Sequence, residues 1–242
     1  VRKIVYTAVT GGYPVHPVIC SGEGWDFVCF AESKIAAEGW TVVPFAETEA
    51  LWRDCPWGGD PAKASKLFKL LPHRLLADYD VSIWIDSSLQ FKRSVLLDAL
   101  CDPFLRSPAL IRTRSHPYRR CIYREGEEVV RCGLDSRERV DRVLAAYRHE
   151  EFPENAGLAE TAFLLRKHNA AALIDFSECW WEVVRDGSRR DQLAFNYVLW
   201  KRPVDADFID DRVPPFFEKL TRGRFRGPFF NATFNFYPTL GR

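Results

Sequence analysis

"DVSIWIDSSLQF", residues 80–91, opens as an apolar run and meets an acid at Asp86. Val81, Ile83 and Ile85 are β-branched and Trp84 adds bulk, which suits a strand covered on both faces. A lone carboxylate is costly to bury. The strand is therefore predicted to stop at Asp86, with that side chain near water, a cation or a polar ligand. An acid at a strand end also serves simply to cap the next turn, and the residues alone leave both uses open.

Upstream, Asp60 and Pro61 form an N-cap and first-turn pair for a helix running toward Leu71. On such a helix Lys63, Lys66, Lys69 and His73 fall on one stripe, with Leu67, Leu70, Leu71 and Leu75 on the neighbouring arc facing a sheet. Pro72 is expected to break or kink it near its end. The stripe reads either as the solvated face of an amphipathic helix or as a phosphate-facing edge beside an acid that can hold a divalent metal.

Further out, strand signals occur at 3–9, 26–31, 41–45, 81–85, 109–113, 160–166 and 205–209, with helical patterns between them, including 169–185 and 189–201. Asp135 with Glu138 resembles a capping box ahead of the apolar face Val140, Val143, Leu144 and Tyr147. Strands alternating with helices predict an α/β fold with a mainly parallel sheet, in which ligands gather at the carboxyl ends of the strands. Asp86 stands at that edge. "CPWGGDP" (55–61) reads as a loop inside one domain spanning 1–242, and "GRFRGPFFNATFNFYPTLGR" (223–242) as irregular chain wrapping the core.

The 242 residues are 47% hydrophobic and 28% charged, an ordinary globular mixture. A net charge of +1 gives no nucleic-acid or membrane-surface signature. No apolar run approaches the ~20 residues of a membrane helix. The chain opens directly on "KIVYTAV", so no leader or anchor is expected and a cytoplasmic location is. Seven cysteines at 20, 29, 55, 101, 121, 132 and 179 form no CxxC pair, which fits reduced thiols better than a disulfide framework or structural zinc. The dinucleotide, P-loop, zincin and serine-hydrolase signatures are all missing.

"KASKLFKLLPHRLLADYDVSIWIDSSLQF" resembles nucleotide-sugar glycosyltransferases of the GT-A fold, in which a strand ends in an Asp-x-Asp type motif. More closely, the chain resembles a glycosyltransferase-like domain of unknown function found in bacteria and in plant mucilage-related proteins. The likeness runs in order through "YTAVTGGY" (6–13), "DFVCFAE" (26–32), "KLLPHRLL" (69–76), "SIWIDSSL" (82–89), "HPYRRCIYREGE" (116–127), "FPENAGLAETAFLLRKHN" (152–169), "WWEVV" (180–184) and "SRRDQLAFNYVLWK" (188–201). It covers about residues 1–210 and implies a GT-A-like α/β/α sandwich.

The resemblance implies a nucleotide-diphosphate sugar donor and a hydroxyl-bearing glycan or glycoconjugate acceptor. Thr7, Ala8 and Tyr13 would hold base and ribose, helped by Asp26 or Glu32; Lys66 and Lys69 would face the diphosphate. Asp86 and Ser88 would sit at the donor, with Asp86 as ligand to a divalent cation (Mn2+ or Mg2+). His116, Arg119, Glu125 and Gln192 would line the acceptor side, and Glu160 and Asp191 would approach the reacting sugar as catalytic carboxylates, either one the base of an inverting reaction.

The sequence departs from that pattern twice. Ser88 replaces the second carboxylate of the motif, and no His follows residue 168, so the basic stripe is the alternative carrier of the phosphate charge. Ser188 three residues before Asp191 also makes a helix start, which would place Asp191 near the positive end of a helix dipole. Glu160 reads equally as a solvated strand-start acid. Transfer of a sugar is the leading function, and a non-catalytic nucleotide- or sugar-binding module is the alternative.

Overall fold

A computed structural model describes residues 1–11, 13–51, 53, 61–210 and 216–219. Strands β1 (Lys3–Val9), β2 (Trp25–Ala31), β3 (Thr41–Pro44), β4 (Val81–Ile85), β6 (Ile111–Ser115), β7 (Ala159–Arg166) and β8 (Ala206–Ile209) form one sheet in the order β3-β2-β1-β4-β7-β6-β8. Every neighbouring pair is parallel except those made by β7, which runs antiparallel to both β4 and β6. This is the mainly parallel α/β sheet expected. All five residues of β4 are buried, as its four apolar side chains demand, and Ser82 is buried with them.

Helices cover both faces. Helix α1 (Pro61–Leu70), the single turn α2 (Pro72–Leu75), α4 (Ile122–Arg131), α5 (Arg137–His149), α6 (Ala171–Asp186) and α7 (Gln192–Lys201) close one apolar layer with Tyr6, Trp84 and Leu164. Helix α3 (Leu97–Leu105) helps close the other, built on Val5, Ile83, Ile85 and Phe163. Pro72 separates α1 from α2, as a residue without an N–H must.

Three expectations needed correction. The strand read at 109–113 begins at Ile111, because Ala109 and Leu110 are apolar lead-in and the ladder continues through Arg112 and Arg114, each paired with an acid. The N-cap of α5 is Ser136, whose hydroxyl accepts from the Arg139 N–H at 3.3 Å. Asp135 divides its carboxylate: Oδ1 accepts from the Ser136 N–H and Arg139 Nη1, at 2.8 and 2.9 Å, and Oδ2 from the Ser188 hydroxyl and the Arg189 N–H, at 2.7 and 3.0 Å. A two-stranded sheet, β5 (Leu89–Phe91) against β9 (Phe217–Lys219), went unread. Asp60, the loop at 55–60 and the stretch 223–242 lie outside the described residues. Six cysteines among the described residues are free thiols.

Candidate active site

Because β7 is antiparallel, its first residues lie beside the carboxyl ends of β4 and β6. The Asp86 N–H donates to the Ala162 carbonyl at 2.9 Å, and Arg114 stands opposite Glu160. Asp86, Glu160, His116 and the chain after β1 therefore share one edge. A bulge in the β6–β7 ladder turns β7 over, so Ala159 and Phe163 face opposite apolar layers although an even offset in the chain would put them on one face.

A charged cluster lies under that edge. The Asp191 carboxylate receives Lys66 Nζ on one oxygen and Lys69 Nζ on the other, both at 2.7 Å. Thr161 Oγ1 donates to the same Asp191 Oδ2 at 2.8 Å. Lys69 Nζ also approaches Asp86 Oδ1 and Thr161 Oγ1, each at 3.3 Å. The Trp84 indole N–H donates to Asp86 Oδ1 at 2.7 Å. Burial alone would push the Asp191 carboxyl up, but Lys66 and Lys69 together hold it far below the carboxylate range. Burial lowers the Lys69 pKa, against the upward pull of Asp191 and Asp86.

Exposure separates the acids. Asp191 is 3% exposed, whereas the side chains of Asp86 and Glu160 keep 32% and 24%. Asp191 precedes α7 with a helical backbone and caps nothing with its side chain. The helix begins at Gln192, so Asp191 is its N-cap residue and not its third; it still stands at the positive end of α7, and its carboxylate also pairs with the two lysines. The stripe on α1 is correspondingly not open: besides Lys66 and Lys69, Lys63 bonds the Arg185 carbonyl and His73 bonds Glu178 at 2.8 Å. Glu160 pairs with Arg114 at 3.5 Å, and that guanidinium stands over the Phe216 and Phe217 rings.

Beside the cluster, Glu32 accepts the Gly11 N–H at 2.9 Å. Val9, Thr10, Tyr13, Ala31, Glu32, Ser33 and Ile35 line a shallow depression there. Thr7 and Ala8 are buried within β1, and the Thr7 hydroxyl has no partner among the described residues. Asp26 is placed elsewhere. It opens β2 at the amino edge of the sheet and accepts from the Tyr79 hydroxyl at 2.7 Å, so of the two acids only Glu32 is at the carboxyl edge. Ser88 is half-buried in the turn after Asp86.

On the other side, buried His116 folds its own loop. Its Nδ1 accepts the Tyr118 and Arg119 N–H groups, both at 3.1 Å. Burial, with Arg119 and Arg120 nearby, pushes its pKa down to about 4, so the ring is neutral at pH 7. Arg119 pairs with buried Glu125, whose carboxyl is pushed up by burial against that pairing. Gln192 opens α7 half-buried, with its amide nitrogen unpartnered among the described residues.

The donor set does not fit a divalent cation held by this chain. Asp86 Oδ1 is occupied by Trp84 and Lys69, both Asp191 oxygens are occupied by lysines, and Ser88 brings no charge. Among the described residues no group of three His, Cys, Asp or Glu side chains is placed to hold a metal. Thr161 carries no signal in the sequence, because the β7 bulge hides it from period-2 counting; Trp84 reads there only as strand bulk and Asp135 only as a helix cap, since their hydrogen bonds reach across elements or into the next turn.

A family model described as "TOD1/MUCI70, glycosyltransferase-like domain" matches residues 49–211. Among solved structures, the apo crystal structure of mouse xyloside xylosyltransferase 1 superposes with a TM-score of 0.51 at 12% identity, over 86% of this chain and 84% of that one. The apo structure of the bifunctional glycosyltransferase WbbM gives 0.52 at 13% identity, over 86% of this chain and 38% of that one. At such identities the likeness is one of fold, and the fold is GT-A-like. No curated protein matches the sequence.

Proposed function

The chain belongs to the TOD1/MUCI70 glycosyltransferase-like family, and from that premise we propose that it moves a sugar from a nucleotide-diphosphate donor to a hydroxyl acceptor in polysaccharide or glycoconjugate synthesis. One observation carries the reading: the carboxyl end of the central strand holds a part-exposed acid, Asp86, tied to a buried lysine, Lys69. The nucleoside occupies the depression beside Tyr13 and Glu32, and the diphosphate turns toward Lys69. Asp86 orients the donor sugar.

Glu160 is the better-placed proton acceptor, because Asp191 is buried and held too far below its ordinary pKa to take a proton near neutrality. The acceptor oxygen bonds the anomeric carbon and its proton passes to Glu160. The bond from that carbon to the diphosphate breaks, and the leaving oxygen keeps the electron pair beside the Lys69 ammonium. Asp191 acts through the lysines it holds, while His116, Arg119, Glu125 and Gln192 shape the acceptor side.

Calorimetry and nucleoside-diphosphate release, run with uridine, guanosine, adenosine and cytidine diphosphate sugars, test the proposal. Failure to bind any of them would end it. A second reading, a non-catalytic binder, is favoured by the full neutralisation of Lys66 and Lys69 by acids of the chain itself. Tight nucleotide binding without sugar release from any donor would select it.

A further inference from the structure

We propose that Lys69 is the resident cation of this site: its ammonium fills the oxygen shell that a divalent ion would otherwise enter, and keeps such an ion out. The inference rests on the proposed transfer reaction for its catalytic meaning, but its test needs no donor.

Three oxygens surround Lys69 Nζ: Asp191 Oδ2 at 2.7 Å, and Asp86 Oδ1 and Thr161 Oγ1 at 3.3 Å. They come from the start of α7, the end of β4 and the first residues of β7. An ammonium has three N–H donors, so the shell matches it in number. Two carboxylates, a hydroxyl and water also make an oxygen set of the kind Mg2+ or Mn2+ accepts. The shell is thus generic for a small hard cation, and the chain supplies that cation itself.

Lys69 is also pinned at its backbone. Its carbonyl accepts Arg166 Nη1 at 2.7 Å and lies 3.3 Å from the Tyr6 hydroxyl, which in turn bonds Arg166 Nη2. Arg166 is wholly buried, and α1 ends here because Pro72 cannot extend the helical ladder. With 1% of its surface exposed, Lys69 has no room to swing out and admit a metal. Two lysines against two aspartates leave the cluster neutral, so a divalent ion gains no unpaired carboxylate by entering. Donor binding then does not respond to chelator.

Manganese binding by the full chain, without nucleotide and followed by paramagnetic resonance of the free ion, decides this. The wild type is expected to show no saturable Mn2+ binding. Lys69→Ala is expected to gain one saturable site, and the double variant Lys69→Ala/Asp86→Asn to lose it again. Wild-type binding that Asp86→Asn abolishes would overturn the proposal. So would a folded Lys69→Ala that binds no more Mn2+ than the wild type. Should Lys69→Ala fail to fold, the wild-type and Asp86→Asn titrations decide alone: Asp86-dependent binding refutes the proposal and its absence upholds it. Failure of every nucleotide to bind would refute the transfer reaction while leaving the metal result intact.

Discussion

Two buried acids serve the same edge of the sheet and are held in opposite ways. Asp191 is clamped by lysines from a distant helix and by a threonine on β7, so its partners come from separate elements. Glu125 is held by Arg119, six residues away in the loop folded around His116. The first arrangement exists only when the whole sheet and its helices have assembled. The second is local, and Arg119 keeps a quarter of its side chain in solvent. A clamp between elements ties site geometry to global stability, whereas a local loop can change its contacts without unfolding anything.

The largest expected effect tests that contrast. Asp191→Asn leaves two ammonium groups facing an amide in a closed space, and breaking a buried ion pair from one side costs about 3–5 kcal/mol. Glu125→Gln should cost only ~1–2 kcal/mol, because Arg119 can turn to water. Urea denaturation of both variants measures the difference. Equal losses would mean that the acceptor-side loop is as deeply tied into the fold as the lysine clamp.

Acid should separate the two regions next. The folded pKa of His116, about 4, lies below an unfolded value of roughly 6.5. Above that value both states are neutral and His116 contributes nothing. As pH falls the unfolded chain binds the proton first, so stability is lost between about 6.5 and 4, by an amount on the order of 3 kcal/mol. His168, also lowered to about 4, adds to the same window. The clamp behaves differently: the depressed Asp191 pKa keeps its contribution whole until pH falls below an unfolded value of roughly 3.9. The pH dependence of stability for His116→Gln should therefore be flatter than wild type between 6.5 and 4 and parallel below. An unchanged slope in the upper window would remove His116 from the account.

A smaller effect falls on function alone. Asp86 keeps a third of its side chain exposed, so Asp86→Asn should fold normally. Losing a charge-assisted bond to the donor sugar costs about 1.5–3 kcal/mol, which is roughly a 10- to 150-fold drop in donor turnover. Steady-state kinetics on the donor that binds best checks it. A variant that keeps wild-type turnover would make Asp86 a structural turn-cap.

The backbone of this contrast was legible in the sequence and its wiring was not. Mostly apolar runs such as "VSIWI" announce buried strands, and the turn to an acid marks the ligand edge, because both follow from burial of residues near in sequence. The stripe of lysines was legible too, but its partner was hidden. Whether Lys66 meets solvent, phosphate or Asp191 depends on how α1 packs against α6 and α6 against α7, which no local period encodes. The acceptor-side loop shows the converse. Its contacts are short in sequence, yet the neutrality of His116 comes from burial, which only the assembled fold creates.

The smallest effect separates local cohesion from site geometry. Ser136 caps α5, which packs so closely on α4 that a Cβ at Gly126 would lie 2.4 Å from Leu144. Removing one cap hydroxyl costs ~1 kcal/mol, so Ser136→Ala should lower the urea midpoint slightly and leave donor turnover untouched. Asp135→Ala should cost more, since that carboxylate also holds Ser188 and Arg189 in the segment leading to Asp191. If the acceptor-side loop is locally held, weakening α5 behind it does not reach Glu125, and kinetics on Ser136→Ala match wild type. A turnover loss in Ser136→Ala well beyond its stability loss would show that strain in α5 passes through α4 to the loop, and both acids would then belong to one cooperative unit.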